Sequence, residues 1–154
     1  MAKGFISIKF NEASLARLNA NLVKLDLNTK GGAKKAIRTV ATNIMAQSQS
    51  EVPRETETLR STAYIEQPKV SGKVVSINLG YASPVSDKRN PKSGKMASEY
   101  AMYVHETPGT PPKGGNYHPY GKWKYLEDPA KAHQAELISE LGQELSIVCS
   151  KGVM

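Results

Sequence analysis

The residues of this sequence that best suit metal or acid–base chemistry are its three histidines. His105 is followed directly by Glu106, and His118 comes later in the same half of the chain. Brought together, these side chains would offer nitrogen and oxygen ligands to a zinc ion. The simpler interpretation makes His105 a partly buried or interface residue and His118 a loop residue. His133 is expected on the solvent side of a helix.

No other set of side chains has the types and spacing that catalysis requires. The sequence shows no nucleophile paired with a base, no carboxylate pair, and no glycine-rich loop that opens a helix with a lysine. We therefore expect no catalytic residue, no metal and no cofactor. A small hydrolase built on His105 and Glu106 is the enzymatic alternative.

Basic side chains are concentrated in two segments of this 154-residue chain, whose formal net charge is +7. The segment 30–38 holds four basic residues and no acid, and three of them are Lys34, Lys35 and Arg38. The polar segment 83–98 contains Lys88, Arg89, Lys92 and Lys95. The segment 127–144 is acidic, with Lys131 as its only lysine or arginine against Glu127, Asp128, Glu136, Glu140 and Glu144.

This uneven distribution of charge has two interpretations. In the first, the basic helix and the acidic helix attract each other, either within one chain or between copies. In the second, the basic residues face nucleic acid, and the segment 83–98 is the better candidate because its composition implies exposure. No base-reading motif accompanies it, so the contacts would be with phosphates and independent of base sequence.

A long amphipathic helix over 33–52 is the element around which the other predicted elements are arranged. Gly31 and Gly32 are expected to mark its start, and Pro53 ends it because proline disfavours helical geometry in the preceding residue. Such an apolar stripe needs a sheet or further helices to cover it. The stripe recurs at the spacing of one helical face and consists of Ala33, Ile37, Val40, Ala41, Ile44 and Met45.

Alternating apolar residues predict a β-hairpin over 60–81. A short strand and a leucine-striped helix are expected before the central helix, at 5–27. The residues expected to form the core are Ile37, Ile44, Ile65, Ile77, Leu79 and Leu137.

Two segments rich in Pro, Gly and polar residues, 83–98 and 107–122, are expected to be long loops. The periodicity of 100–106 fits either a short strand or a helical turn. A C-terminal helix is expected at 129–149, capped by Asp128. The predicted fold is one α+β domain, 1–154, in which a small antiparallel β-sheet is covered by the long central helix and the C-terminal helix.

The composition favours a soluble protein made in a reducing compartment. The single cysteine, Cys149, excludes an internal disulfide. No stretch has the roughly 18 apolar residues of a membrane span, and the N-terminus lacks a signal-peptide pattern. We therefore expect synthesis in a cytoplasm and no membrane contact.

Three stretches, taken in order, resemble one family of proteins. The first, Pro53-Arg54-Glu55-Thr56-Glu57-Thr58-Leu59-Arg60-Ser61, is similar to a P-x-D/E-T-G-x-L-R-x-S signature. The second is Gly80-Tyr81-Ala82 at a strand end, followed by Tyr100-Ala101-Met102-Tyr103-Val104-His105-Glu106. The third is a Pro/Gly-rich loop leading to Trp123-Lys124-Tyr125-Leu126-Glu127-Asp128-Pro129-Ala130. Over roughly residues 33–150 this order resembles the tail-completion or neck proteins of long-tailed bacteriophages, also described as minor capsid or head–tail joining proteins.

The resemblance implies an α+β structural protein of the virion without catalytic activity, assembled in the host cytoplasm as a homohexameric ring. Its partners would be further copies, a head–tail adaptor or connector protein, a tail terminator or tail tube protein, and passing duplex DNA held by weak non-specific contact. The sequence departs from the family at Glu57, where glycine is usual, and in the segment 83–99, which is longer than is common.

The two predicted loops are expected to carry the partner contacts, because binding residues concentrate on loops held by a rigid scaffold. The partner-binding candidates are Lys88, Arg89, Lys92, Lys95, Tyr117, Tyr120 and Trp123, and the first four are also the candidates for lining a DNA channel. The inter-subunit candidates are Lys34, Lys35, Arg38, Glu136, Glu140 and Glu144. The alternative function is a sequence-independent nucleic-acid-binding protein that uses the same basic segments.

Overall fold

The computed structural model describes residues 28–54, 57–107 and 121–151. The strand and helix expected at 5–27 lie outside these ranges, as does most of the loop expected at 107–122. Across the described residues the fold is α+β, as predicted. The elements are α1 (Asn28–Glu51), a 3₁₀ turn (Arg60–Thr62), β1 (Ala63–Ile65), β2 (Lys69–Ser71), β3 (Val74–Ser76), β4 (Leu79–Tyr81), α2 (Ala97–Glu106), α3 (Glu127–Ala132) and α4 (Gln134–Lys151).

The central helix α1 ends where the sequence predicts but begins earlier. It stops at Glu51, just before Pro53, but it runs through Gly31 and Gly32, so the expectation that these glycines mark its start is wrong. A Cβ added to Gly32 would lie 3.4 Å from the Cβ of Glu144 on α4. Gly32 therefore lies on the face of α1 that packs against α4.

The predicted hairpin is present, with an irregularity between its base and its tip. At the base, β1 pairs antiparallel with β4, and at the tip β2 pairs antiparallel with β3. Between the two ladders, residues 66–68 on one arm face residues 77–78 on the other, so the register shifts by one residue. This arrangement resembles a β-bulge, and the N–H of Glu66 closes it by donating to the carbonyl of Asn78 at 2.8 Å.

The core lies where α1 meets α4 on one flank and the base of the hairpin on the other. The prediction that these core residues are buried is confirmed for Ile37, Ile44, Ile77, Leu79 and Leu137. It fails for Ile65, which is only partly buried and packs against the edge of the cluster. The tip strands β2 and β3 remain largely exposed.

The segment 100–106, which the sequence left open between strand and helix, belongs to the helix α2. Two carboxylates stabilise its first turn. Glu99 accepts a hydrogen bond from the N–H of Met96, and Asp87 accepts one from the N–H of Ser98 at 3.0 Å. Since the first turn of a helix has unsatisfied N–H donors, these side chains explain why the helix begins here.

The C-terminal helical region differs from the prediction in two ways. It is divided into α3 and α4, with His133 between them, and it begins at Glu127, so Asp128 lies inside the first turn and is not its cap. The carboxylates of Glu127 and Asp128 still stabilise the N-terminal end of α3 through the helix dipole. In the part of the chain that the structure describes, no helix combines the length and the apolar character needed to cross a bilayer.

Replacing Ile44 with alanine tests whether α1 covers the hairpin. Ile44 is 0% exposed, so Ile44→Ala should lower the free energy of unfolding by about 2–5 kcal/mol. Chemical denaturation measures this loss, with Thr39→Ala on the exposed face of α1 as the matched control. A loss below about 1 kcal/mol would contradict the packing described here.

Candidate functional site

The second and third resemblance stretches, which are far apart in sequence, meet with Ser48 of α1 in one buried group of side chains that we call the tyrosine cluster: Ser48, Tyr81, His105 and Tyr125. The ring of Tyr125 meets that of Tyr81 edge-on at 5.3 Å between centroids, and that of His105 at 5.0 Å. The N–H of Ala82 donates to Thr62 Oγ1 at 3.1 Å. The second stretch is thereby joined to the turn that follows the first.

The hydroxyl groups of the tyrosine cluster are engaged in structural hydrogen bonds. The hydroxyls of Tyr81 and Ser48 share one at 2.8 Å, and Tyr125 donates to the carbonyl of Ala101 at 3.1 Å. Burial raises the pKa of Tyr81 to about 12 and also raises the pKa of Tyr125. Both phenols are therefore protonated and serve to hold α1, the hairpin and α2 together.

Both ring nitrogens of the buried His105 are also occupied. Its Nε2 accepts the backbone N–H of Glu127 at 3.3 Å, so Nδ1 carries the proton and donates to Glu106 at 2.7 Å. His118, the other ligand of the conceivable zinc site, lies outside the described residues. Among those that are described, no group of three or more His, Cys, Asp or Glu residues is arranged to hold a metal.

A network of ion pairs joins the end of α2 to the start of α3. Lys124 lies 2.7 Å from Glu106 and 2.6 Å from Glu127, which also pairs with Lys131. Hydrogen bonding to Lys124 lowers the pKa of Glu106. Hydrogen bonds from Lys124 and then Lys131 hold the pKa of Glu127 at about 2.

The turn of the first resemblance stretch has the backbone conformation that glycine favours. Glu57, which stands where the resembling family usually has glycine, has φ of +54°. Few residues other than glycine adopt this left-handed region without strain. The backbone at Glu57 therefore has a conformation that glycine would adopt without strain.

The end of the second predicted loop is held against the end of α1. A Cβ added to Gly121 would lie 2.6 Å from the Cα of Pro53, so only glycine fits this approach. The N–H of Lys122 donates to the carbonyl of Glu51 at 2.9 Å. Trp123 follows and is 40% exposed, whereas Tyr117 and Tyr120 lie outside the described residues.

Some of the polar and charged side chains of α1 and α4 contact each other within one chain. Lys35 pairs with Glu144, and Asn43 donates to Glu136. Arg38 instead reaches the hairpin, where it donates to Gln67 at 3.2 Å. Within the described residues Lys34 and Glu140 form no ion pair.

The sequence-based interpretation placed His133 in solvent, and the structure corrects it. Its ring is half-buried between α4 and α1. It contacts Glu136, and its Nε2 lies 3.0 Å from Oε1 of Gln47. The helix break at His133 therefore also ties α4 to the central helix.

The basic segment forms an ordered projection, which we call the basic finger, residues 88–97. An isolated antiparallel bridge joins Arg89 to Met96. On either side of it the N–H of Asn90 donates to the carbonyl of Lys95, and the N–H of Ala97 donates to that of Lys88, both at 2.8 Å. The two arms are thus held side by side.

Two residues that the sequence analysis did not single out shape the basic finger. At its tip, Oδ1 of Asn90 accepts the N–H of Lys92 at 2.8 Å and that of Ser93 at 3.2 Å. At its base, the Asp87 carboxylate accepts hydrogen bonds from the N–H and hydroxyl of Ser98. The Asn90-Pro91 pair and the Ser93-Gly94 pair are turn signals that point to this structure. The four exposed cations are Lys88, Arg89, Lys92 and Lys95.

Comparison of this chain with models of protein families, with curated proteins and with solved structures gave no match.

Replacing Glu57 with glycine should stabilise the fold, because glycine relieves the strain of a positive φ. We expect a gain of about 0.5–1 kcal/mol in the free energy of unfolding, after the greater flexibility of glycine in the unfolded chain is offset. The matched control is Glu57→Ala, which removes the exposed ion pair to Arg60 and keeps the strain. Equal stability of the two variants in denaturant titrations would contradict this account.

The network around Lys124 should make stability depend on acidity. The lowered pKa of Glu127 means that its contribution is present above the ordinary value of 4.5 and is lost as the pH falls toward about 2. Wild type should therefore exceed Lys124→Met in stability near neutral pH, with the difference shrinking over that acidic range. Denaturant titrations across the range measure it, with Lys34→Met as the control. A difference that stays constant would show that Lys124 acts through packing alone.

Proposed function

We propose that this chain is a structural subunit of the neck of a long-tailed bacteriophage. It would assemble as a ring at the head–tail junction, linking the portal adaptor to the tail and surrounding the DNA channel. The observation that carries the proposal is the meeting of the second and third resemblance stretches at the tyrosine cluster. Residues of two stretches that are distant in sequence are here parts of one structural junction.

The chemistry of that junction supports a structural role over catalysis. The hydroxyls of Tyr81 and Tyr125 and both nitrogens of His105 are engaged in hydrogen bonds. The conformation of Glu57 agrees with the glycine of the resembling signature. Because the polar atoms of the tyrosine cluster are hydrogen-bonded within the chain, the cluster serves to fix the relative positions of the helices and the hairpin.

A ring subunit needs two different surfaces that complement each other, because contacts around a ring are heterologous. The described chain offers exposed apolar side chains on separate elements. Tyr103 on α2 is 51% exposed, Trp123 is 40% exposed, and Ile138 on α4 is 53% exposed. Neighbouring subunits or the adaptor and tail proteins would pack on the surfaces around these side chains.

Particle assembly tests the proposal. Phage that lacks this protein should accumulate separate heads and tails, which join when the purified protein is added. Ile138→Asp should retain the fold, as checked by thermal melting, and should impair joining because it places a charge in an apolar contact. Ser139→Asp, at the neighbouring exposed position, is the matched control. Heads and tails that join normally without the protein would refute the neck assignment.

The basic finger favours one second candidate, a sequence-independent nucleic-acid-binding protein. The two functions differ in the strength of binding expected, because tight binding of phosphates would obstruct DNA passage through a neck. A neck subunit should bind duplex DNA only weakly, with a dissociation constant on the order of 10⁻⁴–10⁻⁶ M near physiological salt. Much tighter or sequence-selective binding would favour the second candidate.

A further inference from the structure

We propose that the ligand of the basic finger is the phosphate backbone of duplex DNA, and not the acidic surface of a neighbouring copy. The inference deepens the proposed function and rests on it only for the location of the finger at the DNA channel. It is carried by the distribution of charge in the folded chain. The sequence alone left the two possible partners open.

The first step concerns the acidic residues that the structure describes, most of which are already paired. Those that form ion pairs with lysine or arginine of the same chain are Glu51, Glu57, Glu66, Glu106, Glu127, Asp128 and Glu144. Glu136 is bound by Asn43 and His133. The other described carboxylates are Asp87 and Glu99, which flank the finger, and Glu140, which is half-buried. The described surface of a second copy therefore offers no cluster of free carboxylates that would match four cations.

The second step concerns the basic finger, which carries no acid of its own. The flanking carboxylates, Asp87 and Glu99, are bound to the backbone at the start of α2. Within the described residues neither Lys88 nor Lys95 forms an ion pair. Of the four cations, Arg89 donates to the carbonyl of Gly94 and so helps to close the finger. The basic finger is thus a local concentration of positive charge on exposed side chains.

The third step is that the finger is ordered before any ligand arrives. The bridge between Arg89 and Met96 and the turn built on Asn90 hold the cations on a short two-armed projection. Ordering in advance reduces the entropy lost on binding. Lysine ammonium groups suit phosphate oxygens as point charges, and the finger presents no series of aromatic side chains for stacking on bases. These properties fit contact with a duplex backbone.

The salt dependence of DNA binding tests this inference. The variant Lys88→Gln/Lys92→Gln/Lys95→Gln keeps Arg89, which closes the finger. If each lysine meets one phosphate, the slope of log affinity against log salt should become shallower by about 2.7, at roughly 0.9 for each contact. Fluorescence anisotropy with a labelled duplex, at salt concentrations between roughly 50 and 200 mM, measures this slope.

The matched control, Lys69→Gln/Lys73→Gln/Lys131→Gln, changes the net charge equally at exposed positions at the tip of the hairpin and on α3, outside both basic segments. It should leave the slope close to that of wild type. Equal effects of the two triple variants would show that only net charge matters, and no effect of the finger variant would exclude the finger as the DNA contact. Either result overturns the inference. Thermal melting confirms that both variants fold.

A positioning variant separates charge from order. Asn90→Ala keeps every cation but removes the side chain that forms the tip, so binding should weaken a few-fold while the salt slope stays unchanged. A wild-type affinity for this variant would overturn the role assigned to ordering.

The head–tail joining assay separates failure of this inference from failure of the proposed function. A finger variant that binds DNA as wild type but cannot join heads to tails would identify a protein partner for the finger, and the neck assignment would stand. The opposite result is that the protein binds DNA through the finger but heads and tails join without the protein. The inference about the finger's ligand would then survive, and the neck assignment would fail.

Discussion

The burial of the apolar face of α1 is the interaction on which the rest of the structure depends. That face is covered on one flank by α4 and on the other by the base of the hairpin. Gly32 lies against α4, and Ser48 provides the polar contact that links α1 to Tyr81 of β4. The positions of α2 and α3 follow from these contacts, because Tyr125 packs edge-on against Tyr81 and His105 in turn packs against Tyr125.

The sequence predicted the elements whose signals are local and strong. The apolar stripe and Pro53 defined the central helix and its end, and alternation defined the hairpin. The details set by tertiary contact were not predictable. A pair of glycines is normally a helix breaker, yet α1 runs through both, and Gly32 lies against α4. The register shift between the hairpin ladders and the helix break at His133 leave no periodic signal.

The candidate site was predicted in composition but not in organisation. The four cations of the segment 83–98 could be read directly, and all are exposed. Their arrangement on a closed finger depends on Asp87, Asn90 and Ser98, whose polar side chains bond to nearby backbone in a way that composition does not reveal. Similarly, Glu57 was read as a departure from a signature in residue type, and nothing in that residue type indicated the positive φ that it adopts.

The close packing of Gly121 against Pro53 has a consequence for the junction between α1 and the chain that enters α3. A Cβ at position 121 would lie 2.6 Å from the backbone of Pro53 and 2.7 Å from the carbonyl oxygen of Glu51. The N–H of the next residue, Lys122, is bonded to that same carbonyl. Any side chain at position 121 would therefore push the two segments apart and break this hydrogen bond, so the spacing of the junction depends on the absence of a single carbon atom.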